Sequence, residues 1–196
     1  MSKRIIGLAG VAGSGKDTFF ELLSKEVNCQ RYSLADELKR EASAWTEDSY
    51  GINASTCSRL EKEIIRPFLV FHGQMRRTQT EGRYWIDKLS KEISDENHPE
   101  LVLQVITDIR FGEYEKDEIH WLKKELGGTL VHVSMYNQDE ERNITWKPPA
   151  NECEEKNDPI LKDHSDWFVE WPELSPFNPK DLREHATDFL DFILKE

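Results

Sequence analysis

The stretch GLAGVAGSGKDT, from Gly7 to Thr18, carries the residue types and spacing of a phosphate cradle. Consecutive backbone N–H groups from Ala12 to Lys16 suit a phosphate, and a helix N-terminus placed behind them adds its dipole. Gly10, Gly13 and Gly15 permit a tight backbone path, Ser14 completes the turn, and Lys16 supplies a mobile positive charge. The usual pattern places Ser or Thr directly after the lysine. Here Asp17 intervenes and Thr18 follows one residue late. A carboxylate in the first helical turn is favoured by the dipole and is also a hard ligand for Mg²⁺. Two readings stand: Asp17 and Thr18 both serve the metal, or Asp17 caps the helix and Thr18 alone faces the ion.

A cradle works only between a strand and a helix. Ile5 to Ala9 reads as a buried strand, and Asp17 to Val27 as the helix after it. A short strand over Gln30 to Leu34 and a helix over Asp36 to Trp45 follow. Ser58 to Phe71 is helical by its apolar spacing, with Leu60, Ile64, Phe68 and Phe71 on one face and a kink expected at Pro67. Thr80 to Ile93 makes a further helix, and Leu101 to Ile106 a strand covered on both faces. Next come a helix with Ile119, Leu122 and Leu126 in register, and a strand over Thr129 to Val133. Tyr136 to Asp163 is polar and aperiodic, as a lid or loop would be. Trp167 to Val169 reads as a last strand, and Asn178-Pro179 opens a final helix with Leu182, Ala186, Phe189, Leu190 and Ile193 inward. This alternation predicts an α/β fold with a mainly parallel sheet, in one domain over 1–196.

The 196 residues carry a net charge of −12, which argues against nucleic-acid or anionic-membrane partners. No apolar run is long enough to span a bilayer. Cys29, Cys57 and Cys153 show neither zinc nor disulfide spacing, so a cytoplasmic setting is expected. Against the acidic whole, Arg59 to Arg83 holds six cations and three anions, a local +3 suited to an anionic substrate. Arg66 and one of Arg76 or Arg77 are the candidates for gripping a phosphate bidentately. Asp108 ends an apolar strand, at the sheet edge where α/β ligand sites form. Trp45 and Trp146 lie in polar company and are candidate stacking platforms; Trp85 reads as core, and His164 as a structural hydrogen-bonding residue.

GKDT after a Gly-Ser pair resembles the loop of bacteriophage-type deoxynucleoside monophosphate kinases and, less closely, that of animal phosphomevalonate kinases. Further segments resemble the phage enzymes in the same order: Tyr32-Ser33-Leu34-Ala35-Asp36-Glu37-Leu38-Lys39 with Trp45 beyond; Arg66, Leu69, Gly73 and Tyr84-Trp85; Asp108-Ile109-Arg110-Phe111 with Glu113; and Asp163-His164-Ser165-Asp166. The resemblance implies a nucleoside monophosphate kinase-like fold, with acceptor-binding helices at about 36–93 and a lid at about 136–163. It implies ATP-dependent phosphorylation of a deoxynucleoside 5′-monophosphate with Mg²⁺ in a host cytoplasm, by a monomer or homodimer. At that sheet edge Asp108 would hold a metal-bound water or orient the attacking phosphate, with Arg110 on the transferred group, unless the two form a pair that only fixes the next helix; on the family reading Lys39 belongs to the acceptor site, and Arg142, Lys147 or both come from the lid. The arginine that the family often carries just after the Thr129 strand is replaced by Met135 and Tyr136. Kinases of phosphomevalonate or dephospho-coenzyme A, and a nucleotide-binding protein without catalysis, are the alternatives.

Overall fold

The computed structural model describes residues 4–95, 102–139, 141–173 and 180–195. Its sheet is built on strand β1 (Arg4–Ala9), flanked in parallel by β3 (Leu103–Ile106) and β4 (Thr129–Gln138). β2 (Cys29–Tyr32) extends it beyond β3, and β6 (Trp167–Pro172) runs parallel to β4 on the other side. The central strands β1 and β3 are mostly apolar and buried because both faces are covered, whereas β2 and β6 keep exposed positions. On one face, α1 (Lys16–Glu26) and α7 (Lys180–Lys195) bury Phe19, Leu23, Ala186 and Phe189 against Leu8, Val131 and Trp171. On the other, α4 (Arg83–Asp95) and the short α5 (Glu118–His120), which continues as a π-helical turn over Trp121–Glu125, bury Ile86, Leu89, Trp121 and Leu122 against Ile106 and Leu130. The α/β architecture and parallel sheet are those the sequence predicts. Leu101 and the Asn178-Pro179 helix start lie outside the described residues.

Two expectations change. Tyr136–Asp163 is not an irregular loop: β4 extends to Gln138, pairs antiparallel with β5 (Ile144–Trp146), and is followed by α6 (Glu152–Asp163). Tyr136 pairs with Trp146 on one edge and with Pro172 on the other. β5 therefore occupies the edge of β4 that β1 leaves at Ala9, which sets the hairpin above the loop after β1. Its polar sequence hid it because its strand is exposed on both faces.

The second change concerns α3 (Arg59–Gln79), which packs beside α2 (Leu34–Tyr50). It starts in a capping box between Ser58 and Glu61 and runs through Pro67 as one helix. Pro67 faces solvent, so water can solvate the carbonyl its missing N–H would have bonded. The buried face is Ile65 and Leu69, which pack with Ala42, Ile52 and Ala54; Leu60, Ile64 and Phe71 point outward. Both sides of α3 carry apolar residues, so periodicity alone favoured the wrong one.

Candidate functional site

The loop between β1 and α1 is held in shape by backbone that only glycine tolerates. Gly10 (φ 126°) lies so close to the Val133 carbonyl that a Cβ would strike it, and Gly15 (φ 97°) is packed under the Trp171 ring. The Trp171 indole N–H donates to the Ser14 carbonyl at 2.9 Å, so a side chain from the last strand clamps the loop from behind. Ser14 itself is buried, and its Oγ has no partner. Lys16 curls back, donating from Nζ to the carbonyls of Gly10 (2.6 Å) and Val11 (2.9 Å). Burial, and then the Arg110 guanidinium nearby, lower its pKa to about 8. The carboxylates of Glu154, Asp17 and Asp108 act on it in the opposite sense, so all of these groups surround one ammonium.

Asp108 is buried at the end of β3 and spends its oxygens on α2. It accepts from Ser33 Oγ (2.9 Å), the Leu34 amide (2.8 Å) and the Ala35 amide (2.8 Å). The expected role at the metal-bound water or attacking phosphate is thereby narrowed: Asp108 caps the start of α2 and, among the described residues, forms no ion pair with Arg110. Arg110 is exposed, and its backbone is fixed by Glu118, whose carboxyl accepts from the amides of Arg110 (2.6 Å) and Phe111 (3.1 Å). Complete burial pushes the Glu118 carboxyl up to about 8.

The hairpin and α6 bring two residues onto the loop. Lys147 is anchored by its amide to the Met135 carbonyl (2.9 Å), and its side chain lies against Gly13. Glu154 stands in the first turn of α6, three residues after the cap Asn151. Its Oε2 accepts from the amides of Ala12 (3.1 Å) and Ala150 (2.9 Å). A carboxylate thus sits on a donor that a phosphate would use. Arg142 is not at the loop. It occupies the turn of the hairpin with φ 66°, beyond the end of a ten-residue strand, so of these two residues it is Lys147 that lies against the loop. Trp146 lines a pocket of about 90 Å³ with Val11, Ser134, Lys147 and Lys162, beside the loop after β1 rather than among α2, α3 and α4. Farther along α6, Asp158 meets the buried His132 at 3.1 Å and ties the helix to β4.

Arg77 corrects the sequence reading most sharply. It is buried, donates from Nη1 to Asp117 Oδ1 at 2.7 Å and from Nη2 to the other oxygen, and stacks over Phe111 at 3.8 Å. Asp117 also accepts from the amides of Glu113 and Glu118, so Arg77 braces the Arg110 loop and has no surface for a substrate phosphate. Arg76 remains accessible over the Tyr84 ring, 3.4 Å from Glu41. Burial would raise the Glu41 carboxyl, but hydrogen bonds from Lys88, Tyr84 and His72 outweigh it and hold the pKa at about 2. Arg66 is exposed and pairs with Glu63 at 2.6 Å. Lys39 pairs with Asp36 at 2.6 Å near the start of α2. Trp45 stacks on Phe68 at 4.1 Å near the far end of that helix, which removes it from the cradle.

Glu154, Glu118, Asp117 and Trp171 were missed in the sequence. Only Glu154 carried a signal there, the Asn-x-x-Glu spacing of a helix start. No family model and no curated protein matches the chain. Among solved structures, dephospho-CoA kinase from Campylobacter jejuni aligns at 14% identity over 97% of this chain and 97% of its own, with a TM-score of 0.49. Shikimate kinase from Acinetobacter baumannii in complex with shikimate aligns at 16% identity over 99% and 94%, with a TM-score of 0.45. That from Aquifex aeolicus does so at 16% over 97% and 98%, with a TM-score of 0.44.

Proposed function

We propose that this chain is an ATP-dependent kinase that converts a deoxynucleoside 5′-monophosphate to the diphosphate. The observation that carries the phosphotransferase half is convergence: Lys16, Arg110 and Lys147 come from separate segments to one glycine-built cradle at the carboxyl end of a parallel sheet. Phosphoryl transfer is catalysed mainly by positioning and by cations around the equatorial oxygens, and this site supplies both. An acceptor phosphate is already ionised at neutral pH, so no general base is required. Lys16 would turn from its loop carbonyls to the β- and γ-phosphates, and Glu154 would yield the Ala12 amide. Trp146, beside the cradle, suits the donor's base. The acceptor half rests on the resemblance to phage-type kinases, with Lys39, Arg66 and Arg76 as its accessible cations.

Among the described residues no group of three or more His, Cys, Asp or Glu forms a metal cage. Mg²⁺ is ordinarily held by one or two carboxylates together with substrate phosphates and waters, and Asp17 with Thr18 fits that need. The ion would neutralise charge on the phosphates; the protein's part is to hold them.

A coupled assay of ADP release tests the proposal, with matched deoxy- and ribonucleoside monophosphates, phosphomevalonate, dephospho-coenzyme A and no acceptor. Turnover with deoxynucleotides above their ribose counterparts is expected. Turnover only with phosphomevalonate or dephospho-coenzyme A would overturn the acceptor, and ATP binding without transfer to any acceptor would overturn catalysis.

A further inference from the structure

The kinase reading leaves one set of reactive side chains idle. His132 on β4 is 2% exposed, and both of its ring nitrogens have partners. Nε2 lies 3.1 Å from Asp158 Oδ1 on α6, and Nδ1 lies 3.1 Å from Ser134 Oγ two residues along the strand. An ionised carboxylate only accepts, so the ring proton sits on Nε2 and Nδ1 accepts from the Ser134 hydroxyl. Hydroxyl, imidazole and carboxylate in this order are a nucleophile, its base and the group that orients the base. Tying α6 to β4 requires only His132 and Asp158. Ser134, half-buried in the wall of the pocket beside the loop after β1, is not needed for that tie.

We propose that Ser134 is a nucleophile that takes the γ-phosphoryl group of a nucleoside triphosphate held in the cradle, so that the chain phosphorylates itself. The inference rests on reading Gly10 to Thr18 as that cradle. A monophosphate acceptor is ionised at neutral pH and needs no base, whereas a serine hydroxyl does, and the relay supplies one. The Ser134 oxygen bonds to the γ-phosphorus, the bond from that phosphorus to the β,γ-bridging oxygen breaks, and the nucleoside diphosphate leaves with its electron pair. The hydroxyl proton passes to His132 Nδ1, and Asp158 stabilises the imidazolium. Val11 of the loop lines the same pocket as Ser134, as does Lys147, whose side chain lies against Gly13. Glu154 occupies the Ala12 amide that a phosphate would use, and Asp158 follows it by four residues, about 6 Å along α6. The product brings a charge of about −1.5 to −2 to a pocket that already holds the cations Lys147 and Lys162.

Incubating the full chain with γ-labelled ATP and Mg²⁺, without any acceptor, tests this, with ATP binding measured separately by calorimetry. The expected result is an acid-stable label, located on Ser134 by tandem mass spectrometry and appearing at a rate constant independent of protein concentration. Ser134→Ala should abolish the label while the circular dichroism spectrum and the ATP affinity persist. His132→Asn should slow labelling roughly 100-fold or more, and Asp158→Asn serves if loss of the imidazole unfolds the chain. ATP bound without label would overturn the proposal and leave the cradle reading standing; failure to bind ATP would overturn both. Label that survives Ser134→Ala, labelling indifferent to both relay variants, or a rate constant that rises with protein concentration would also overturn it.

Discussion

Replacing Arg77 with methionine separates a structural arginine from a substrate-binding one. The guanidinium is 3% exposed and Asp117 1%, so the substitution strands a carboxylate where water cannot reach it. Breaking a buried pair in this way costs about 3–5 kcal/mol. Asp117 keeps the amides of Glu113 (3.1 Å), Tyr114 (3.3 Å) and Glu118 (3.0 Å), which places the loss at the lower end, about 3 kcal/mol. Methionine retains part of the packing under Phe111, so little cavity cost is added. With a urea m-value of about 2–3 kcal/mol/M, the midpoint should fall by about 1–1.5 M. Urea unfolding followed by tryptophan fluorescence reads this directly, and steady-state kinetics below the transition should show a lower kcat, through the loosened Arg110 loop, with little change in acceptor KM. An unchanged midpoint together with an acceptor KM raised tenfold or more would refute the reasoning and return Arg77 to the substrate.

Lys16→Ala should abolish phosphoryl transfer and leave the circular dichroism spectrum unchanged; retained turnover would remove the cradle from the mechanism. Asp17→Asn should raise the Mg²⁺ concentration needed for half-maximal rate, and a titration matching wild type would make Asp17 a helix cap only. Glu154→Gln should tighten ATP-analogue binding roughly fivefold in calorimetry, because a neutral amide holds the Ala12 N–H less firmly and does not repel phosphate, a difference of about 1 kcal/mol; unchanged or weaker binding would count against competition at that amide. Glu118 has its folded pKa raised to about 8, so between its ordinary value of 4.5 and that point the folded state binds the extra proton, and its stabilising contribution falls as pH rises. Glu118→Gln should flatten that decline relative to wild type in urea midpoints measured from pH 4.5 to 8.5, and parallel pH curves would show that Glu118 does not titrate there.

The cradle was legible because its chemistry is contiguous. Gly10 to Thr18 is one turn between one strand and one helix, and its glycines answer to local backbone demands that spacing reveals. The apolar strands and the inward face of α7 were legible for a similar reason, since burial on a regular element repeats with that element's own period. What the fold alone decided is every choice between equivalent residues far apart in sequence. Arg66, Arg76 and Arg77 are the same side chain to a reader of sequence; Asp117, forty positions away, takes Arg77 out of reach of any substrate. Lys147 and Arg142 were equal candidates until β5 claimed the edge vacated by β1, which sets one against Gly13 and the other at the hairpin turn. Asp108 carried a catalyst's position at the end of a strand, but the three donors of Ser33, Leu34 and Ala35 converge on it only after α2 has docked. Local spacing encodes how the backbone must turn; pairing energy depends on distance and burial, and those exist only once the chain has closed on itself.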